Sequence, residues 1–344
     1  MNLRKSVLLK VVQWFVLLAL SAFLLYVAFK DVKWEDFING LAGCNFLWIA
    51  ASMVVSVIAF IVRALRWRLA MLPLSSEITR MDAYRGVTVG YLINFALPRA
   101  GEFARCGVIS ATGKATFESV LGSVVLERSW DMLSYLIILL SVLFIGNNSF
   151  GDFVSGQVWN PFVNSLSGTA IWVLAAVAIA GVVSVVFIYR KRDALLRYSL
   201  FRKIFNILSG LWDGLRAGLK MKGKSRFLLF TLLLWVCYWL MSYFTIRAFP
   251  QVASLNWVDA MFLMVVGSLG WIVPVQGGIG AYHFILSMAL AHIYGLEQTT
   301  GVIFATISHE SQAVTMLLCG VLSMLHTLFL RNRNTRENRT PKNE

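Results

Sequence analysis

Runs of about twenty consecutive apolar residues constrain this chain more than any other feature, because a lipid bilayer is the solvent that such runs match. They lie at Leu9–Phe29, Phe46–Trp67, Ser119–Ile145, Thr169–Tyr189, Phe227–Phe249 and Gly301–Leu330. Each is long enough for a hydrocarbon core about 30 Å thick. Only 14% of the residues are charged and 58% are hydrophobic, against about 25% and 45–50% in a soluble domain. The expectation is an all-α, polytopic integral membrane protein, one membrane domain over 1–344. The formal net charge of +14 falls mostly between the runs and in the tail. That distribution fits the lysine and arginine bias of cytoplasmic loops, not nucleic acid. The first run is too long for a signal peptide and lacks a small-residue cleavage pattern. Four scattered cysteines, with no CxxC, read as small apolar fillers.

Two further apolar stretches, Met81–Ser110 and Val258–Tyr294, are interrupted. The first breaks at Asn94-Phe95-Ala96-Leu97-Pro98-Arg99-Ala100-Gly101-Glu102 and the second at Trp271-Ile272-Val273-Pro274-Val275-Gln276-Gly277-Gly278-Ile279-Gly280. Charge decides how each is threaded. Arg4, Lys5 and Lys10 put the N-terminus inside, and Arg63, Arg66, Arg68 and Arg80 bring the chain back there. Gly146–Gly168 has no lysine or arginine and belongs outside, whereas Arg190–Arg226, with eleven against two aspartates, belongs inside. The count closes only if Met81–Ser110 leaves from and returns to the inside, and Val258–Tyr294 does the same from outside. One re-entrant hairpin then opens inward and the other outward. Pro98 and Pro274 lie 176 residues apart, and Glu127 and Glu310 lie 183 apart. The expectation is an inverted-topology repeat, first half 1–168 and second half 169–330, with about six full spans. Residues 195–220 read as a basic amphipathic helix on the inner leaflet or, alternatively, packed on the bundle. The tail 331–344 is polar and is expected to be disordered.

Paired interrupted segments in the two halves of a membrane protein point to a transport site. A helix restarting near Gly101 offers its N-terminus to an anion, with Arg99 and Arg105 adding charge. Glu102, Asn94 and Gln276, with the Gly277, Gly278 and Gly280 turn, complete the candidate substrate site, whose natural ligand carries a phosphate. Pro98 and Pro274 are its helix breaks. Glu127, Arg128 and Asp131 lie inside a span, Glu127 about 12 Å along it from Ser119. His309 and Glu310 sit at similar depth in the last span, and His283 follows the glycine turn. Ionisable groups at such depth are functional candidates or a buried network that pins helices. They are the expected polar path. His309-Glu310 begins an HExxH pattern, but Ala313 stands at the second histidine, so no zincin site and no metal is expected. No GxSxG or P-loop occurs, so neither enzyme activity nor a cofactor is expected.

Arg63-Ala64-Leu65-Arg66-Trp67, Asn94 with Pro98-Arg99-Ala100-Gly101-Glu102 and Arg105, Glu127-Arg128 with Asp131, and Pro274 with Gly277-Gly278-Ile279-Gly280 resemble the transmembrane region of the lysylphosphatidylglycerol synthase/flippase family (MprF-like). The resemblance covers almost the whole chain. It implies a flippase-like protein of a bacterial inner membrane, with both termini cytoplasmic, that moves a phospholipid between leaflets. The fourteen residues after Leu330 leave no room for the cytosolic aminoacyltransferase domain, so a stand-alone member is expected. Expected partners are the membrane phospholipid substrate and anionic inner-leaflet lipid at the basic helix. Homo-oligomerisation is left open. The alternatives are an intramembrane enzyme acting on polyprenyl-phosphate-linked sugars and a membrane subunit or regulator that transports nothing.

Overall fold

The computed structural model describes residues 2–145 and 199–337. Among them it has eleven α-helices and no strand. The expected span Thr169–Tyr189, the loop 146–168, the start of the basic segment and the last seven residues lie outside the described part.

Helix α1 (Asn2–Phe29) meets α2 (Trp34–Ala42) at a bend of 84°. Then come α3 (Phe46–Met71), the pair α4 (Arg80–Ala96) and α5 (Gly101–Ser110), and α6 (Phe117–Phe144). After the gap follow α7 (Ser199–Lys220), α8 (Lys224–Ala248), the pair α9 (Trp257–Ile272) and α10 (Ala281–Tyr294), and α11 (Gln298–Glu337). Among the described residues, α3, α8 and residues 298–330 of α11 are long and apolar enough to cross a membrane, as is α1 if the bent pair counts as one span. Helix α6 is 28 residues long, but carries Glu127, Arg128 and Asp131 in its middle. The chain is an all-α, multi-pass membrane protein.

Neither helix pair can cross on its own. At 1.5 Å per residue, α4 and α5 reach about 25 and 15 Å, and α9 and α10 about 24 and 21 Å, short of a core about 30 Å thick. Each pair folds back on itself. In the first, Gly90 packs on Gly101 while Lys114 Nζ, just beyond α5, reaches Asp82 Oδ2 near the start of α4 at 2.7 Å. In the second, Gly270 packs on Tyr282 while Tyr294 Oη donates to Asp259 Oδ1 at 3.0 Å. Both pairs are therefore helical hairpins. Each break has the same cause. Leu97 and Val273, the residues before the prolines, hold extended ψ values of 104° and 130°, since a following proline disfavours the helical region.

The two hairpins also begin alike. Thr79 and Asp82 form a capping box at the start of α4, and Asn256 and Asp259 form one at the start of α9. In each, the side chain of the first residue accepts from the amide of the second, and the aspartate accepts from the first residue's amide. The aspartate then also holds the end of its hairpin's second arm. The helix packing is exchange-symmetric as well. Helices α3 and α8 pack most extensively, each hairpin packs on the span after it (α5 on α6, α10 on α11), and each leans on the other half's last span (α4 on α11, α9 on α6). Among the described residues, exchanging the two sets of helices leaves this contact pattern in place.

Two expectations are corrected and one alternative is decided. Arg63 and Arg66, counted in the sequence reading as cytoplasmic charges, are buried inside the bundle, as is Arg105, because carboxylates of α6 take their charge. Helix α7 takes the alternative given for it and packs along α6, with Gly214 on Ser129 and Gly218 on Trp130, while Trp212 and Leu219 stay exposed. The last helix also runs on to Glu337, through half of the tail expected to be disordered.

Candidate functional site

The hairpin tips meet. The ring of Phe95, at the end of α4, lies where a Cβ on Gly277 would sit, 2.7 Å from its nearest atom. Gly277 has a φ of +57°, so the absence of a side chain serves both the turn and this contact. Arg99 Nη2 reaches the carbonyl of Ile272 at 3.5 Å. Arg99 is also the one non-glycine residue with a positive φ, +63°, among the described residues. Backbone strain of this kind collects at functional sites, where surrounding structure holds it.

A cavity of 530 Å³ lies where the tips approach each other. Its charged and amide lining is Arg63, Asn94, Arg99, Glu102, Arg128 and Asp131, with Gln312. Much of the remaining wall is aromatic: Phe60, Tyr91, Phe95, Tyr135, Trp235, Tyr238 and Trp271. Pro98, Pro274, Gly277 and Gly278 also border it.

On and behind this lining, four arginines meet three carboxylates. Glu127, with no exposed surface, has Arg63 Nε at 2.8 Å and Arg66 Nη2 at 2.9 Å from Oε1, and Arg105 Nη1 at 2.8 Å from Oε2. The Arg105 contact is an ion pair out of line for a hydrogen bond. Asp131 takes Arg63 Nη2 at 2.8 Å and Arg66 Nη2 at 2.6 Å. Arg128 Nη2 lies 2.9 Å from Glu102 Oε1, tying α6 to α5. Tyr238 Oη accepts from Arg63 Nη1 at 3.0 Å, and the Arg105 guanidinium lies 4.5 Å from the centre of the Trp67 ring. Charges in a bilayer need partners of this sort. The group nevertheless carries one positive charge in excess, and Arg99 adds another at the cavity surface.

The remaining candidates divide. Asn94 Oδ1 accepts from the Gly101 amide at 2.7 Å, so the first donor of α5, expected to be free for an anion, is already capped. Glu127 and Arg105 lie behind the lining, not on it. Gly280 packs on the backbone of Ser21 and Leu25 in α1, and both polar atoms of the Gln276 amide are buried without a protein partner. His283, His309 and Glu310 form a second cluster of their own, outside the lining. The expected polar path is thus two separate groups.

A family model described as the lysylphosphatidylglycerol synthase TM region matches residues 14–320. The chain belongs to that family. The match takes in both hairpins, the charged middle of α6 and the cavity wall. No curated protein matches the sequence. In this member of the lysylphosphatidylglycerol synthase TM family, the residues that sequence reasoning did not assign to the site are Arg63, Arg66 and the aromatic lining. Two arginines three apart inside an apolar run were the available signal. The metal-ligating types at 283, 309 and 310 were visible, but nothing in their spacing joined them.

Proposed function

We propose that this protein moves a phosphate-bearing lipid between the leaflets of a bacterial inner membrane, holding the head group in the cavity between the hairpin tips. The observation that carries this reading is a cavity whose lining combines an excess of positive charge (Arg63, Arg99 and Arg128 against Glu102 and Asp131) with many aromatic rings. Such a surface complements an anionic head group joined to an apolar chain. Arg99 and Arg128 are assigned the phosphate, Glu102 and Asn94 the orientation of Arg128 and the first turn of α5, and Gly277 and Gly278 the close approach of the opposite tip. Two discontinuous helices meeting near the bilayer midplane are a recurring plan for transport sites. The family description, which names a lipid-modifying enzyme's membrane region, supports a lipid ligand. Exposed Trp212 and Leu219 of α7, beside Arg216, are assigned the inner-leaflet contact.

Lipid binding to the purified protein tests this. Phosphatidylglycerol should bind, and diacylglycerol, which lacks the phosphate, should bind far less. A charge-assisted hydrogen bond contributes about 1.5–3 kcal/mol, so Arg99→Gln should weaken phosphatidylglycerol by about one to two decades. Arg80→Gln, at an exposed site away from the cavity, should leave binding as it is. Equal binding by parent and Arg99→Gln, both folded, would remove Arg99 from the site. Turnover of a polyprenyl-phosphate sugar by the purified protein alone would instead make it an enzyme.

A further inference from the structure

Behind the Trp271 ring, which stacks on His309 with centroids 5.0 Å apart, lies the second polar cluster. His283 comes from α10, and His309 and Glu310 come from α11. His309 Nε2 is 2.8 Å from the carbonyl oxygen of Gly277. A carbonyl only accepts, so this nitrogen carries the proton. The other nitrogen, Nδ1, then faces Glu310 Oε1 at 2.9 Å. A neutral imidazole and an ionised carboxylate would bring two lone pairs together there, and a cation removes the conflict.

A proton would satisfy two atoms, but a third converges on the same place. His283 Nε2 is 3.8 Å from the same Glu310 oxygen, and all three groups present ligand atoms within 4.8 Å of one another. In a tetrahedral site, metal–ligand bonds of about 2.0–2.2 Å put neighbouring donors about 3.3–3.6 Å apart; the two Glu310 contacts bracket that spacing, and the widest pair closes by about 1 Å when the ion binds. The His309 N–H on a backbone carbonyl is also the outer contact by which metal-bound histidines are fixed in tautomer and direction. His283 is 2% exposed and its Nδ1 has no protein partner, so its chemistry is directed inward. The Glu310 side chain, by contrast, is 48% exposed within an apolar stretch of α11. A carboxylate there needs a counter-charge, and its open side leaves a coordination position and a route for an ion.

We propose that His283, His309 and Glu310 bind a divalent cation of the Zn²⁺ class. Two imidazoles and one carboxylate select such an ion over Mg²⁺ or Ca²⁺, which take oxygen ligands. The ion ties α10 to α11 and, through the bond from His309 to Gly277, holds the glycine turn that forms one wall of the cavity. This assignment stands independently of the lipid reading, because its test reads metal and not transport.

The full chain, purified in detergent with a tag free of histidine and stripped with a chelator, is dialysed against micromolar ZnCl₂. Metal per chain and thermal melting are then measured. The parent should bind one Zn²⁺ and melt at a higher temperature with it, by mass action. Glu310→Gln, at an exposed side chain, and His309→Ala should each weaken binding by about 100-fold, the upper end of what loss of even an outer partner costs. His326→Ala, elsewhere on α11, should bind as the parent does. Loss of binding in Glu310→Gln supports the site even if His309→Ala, which also loses the Gly277 contact, fails to fold. A parent that takes up no Zn²⁺ and shows no shift in melting overturns the proposal, as does a Glu310→Gln variant that binds as tightly as the parent.

Discussion

Replacing Glu127 by glutamine tests whether the arginine–carboxylate group is the structural centre of the first half. Glu127 has no exposed surface and lies 2.8–2.9 Å from three guanidinium groups. Arg63, Arg66, Arg105 and Arg128 face Glu102, Glu127 and Asp131, so Glu127→Gln raises the excess from one positive charge to two. Arg66 and Arg105 are also buried, and water cannot take over the lost partner. Breaking a buried pair by removing one member costs about 3–5 kcal/mol, a large part of a typical total of about 5–15 kcal/mol. The variant should melt well below the parent in detergent. Adding Arg105→Gln restores the excess to one and should recover part of the loss, with a coupling of about 0.5–3 kcal/mol between the sites. Glu118→Gln, at an exposed position of the same helix, is the control. Glu127→Gln melting with the parent would refute the reasoning, and so would a double variant no more stable than the additive sum of the singles.

Two shorter tests bear on the hairpins and their orientation. A Cβ on Gly270 would lie 2.5 Å from Tyr282 Cα, so Gly270→Ala should lower stability by about 1–3 kcal/mol through overpacking, read as a fall in melting temperature. Ser225 lies at the start of α8 and Ser254 beyond its end. In a cysteine-free background, an impermeant maleimide added outside should label Ser254→Cys and not Ser225→Cys. The reverse pattern would invert the orientation.

The spans and both helix breaks were legible in the sequence because their causes are local. Apolar length sets the spans, and proline sets ψ at Leu97 and Val273. The hairpins were legible through charge parity, although Arg63 and Arg66, used in that count, are buried. An arginine near the end of a span looks the same whether it meets water or a carboxylate. Its partners here lie 61 and 65 residues further on, at Glu127 and Asp131, and only the packing of α3 on α6 reveals them. The capping boxes at Thr79 and Asn256 were readable from spacing and mark the matching starts of the two hairpins. The histidine cluster was hidden for a different reason. His283 and His309 are 26 residues apart and meet because the arm of the second hairpin lies along α11.

Transport in reconstituted vesicles tests the central claim most directly. Parent protein and Arg99→Gln/Arg128→Gln are placed in liposomes carrying a fluorescent anionic phospholipid, and its accessibility to a membrane-impermeant quencher is followed with time. The parent should bring inner-leaflet lipid to the quencher faster than protein-free vesicles do. The double variant, folded, should slow that exchange by at least about tenfold, the loss expected for one charge-assisted contact. Exchange by the parent no faster than in protein-free vesicles, or exchange by the double variant equal to the parent's, would contradict the account.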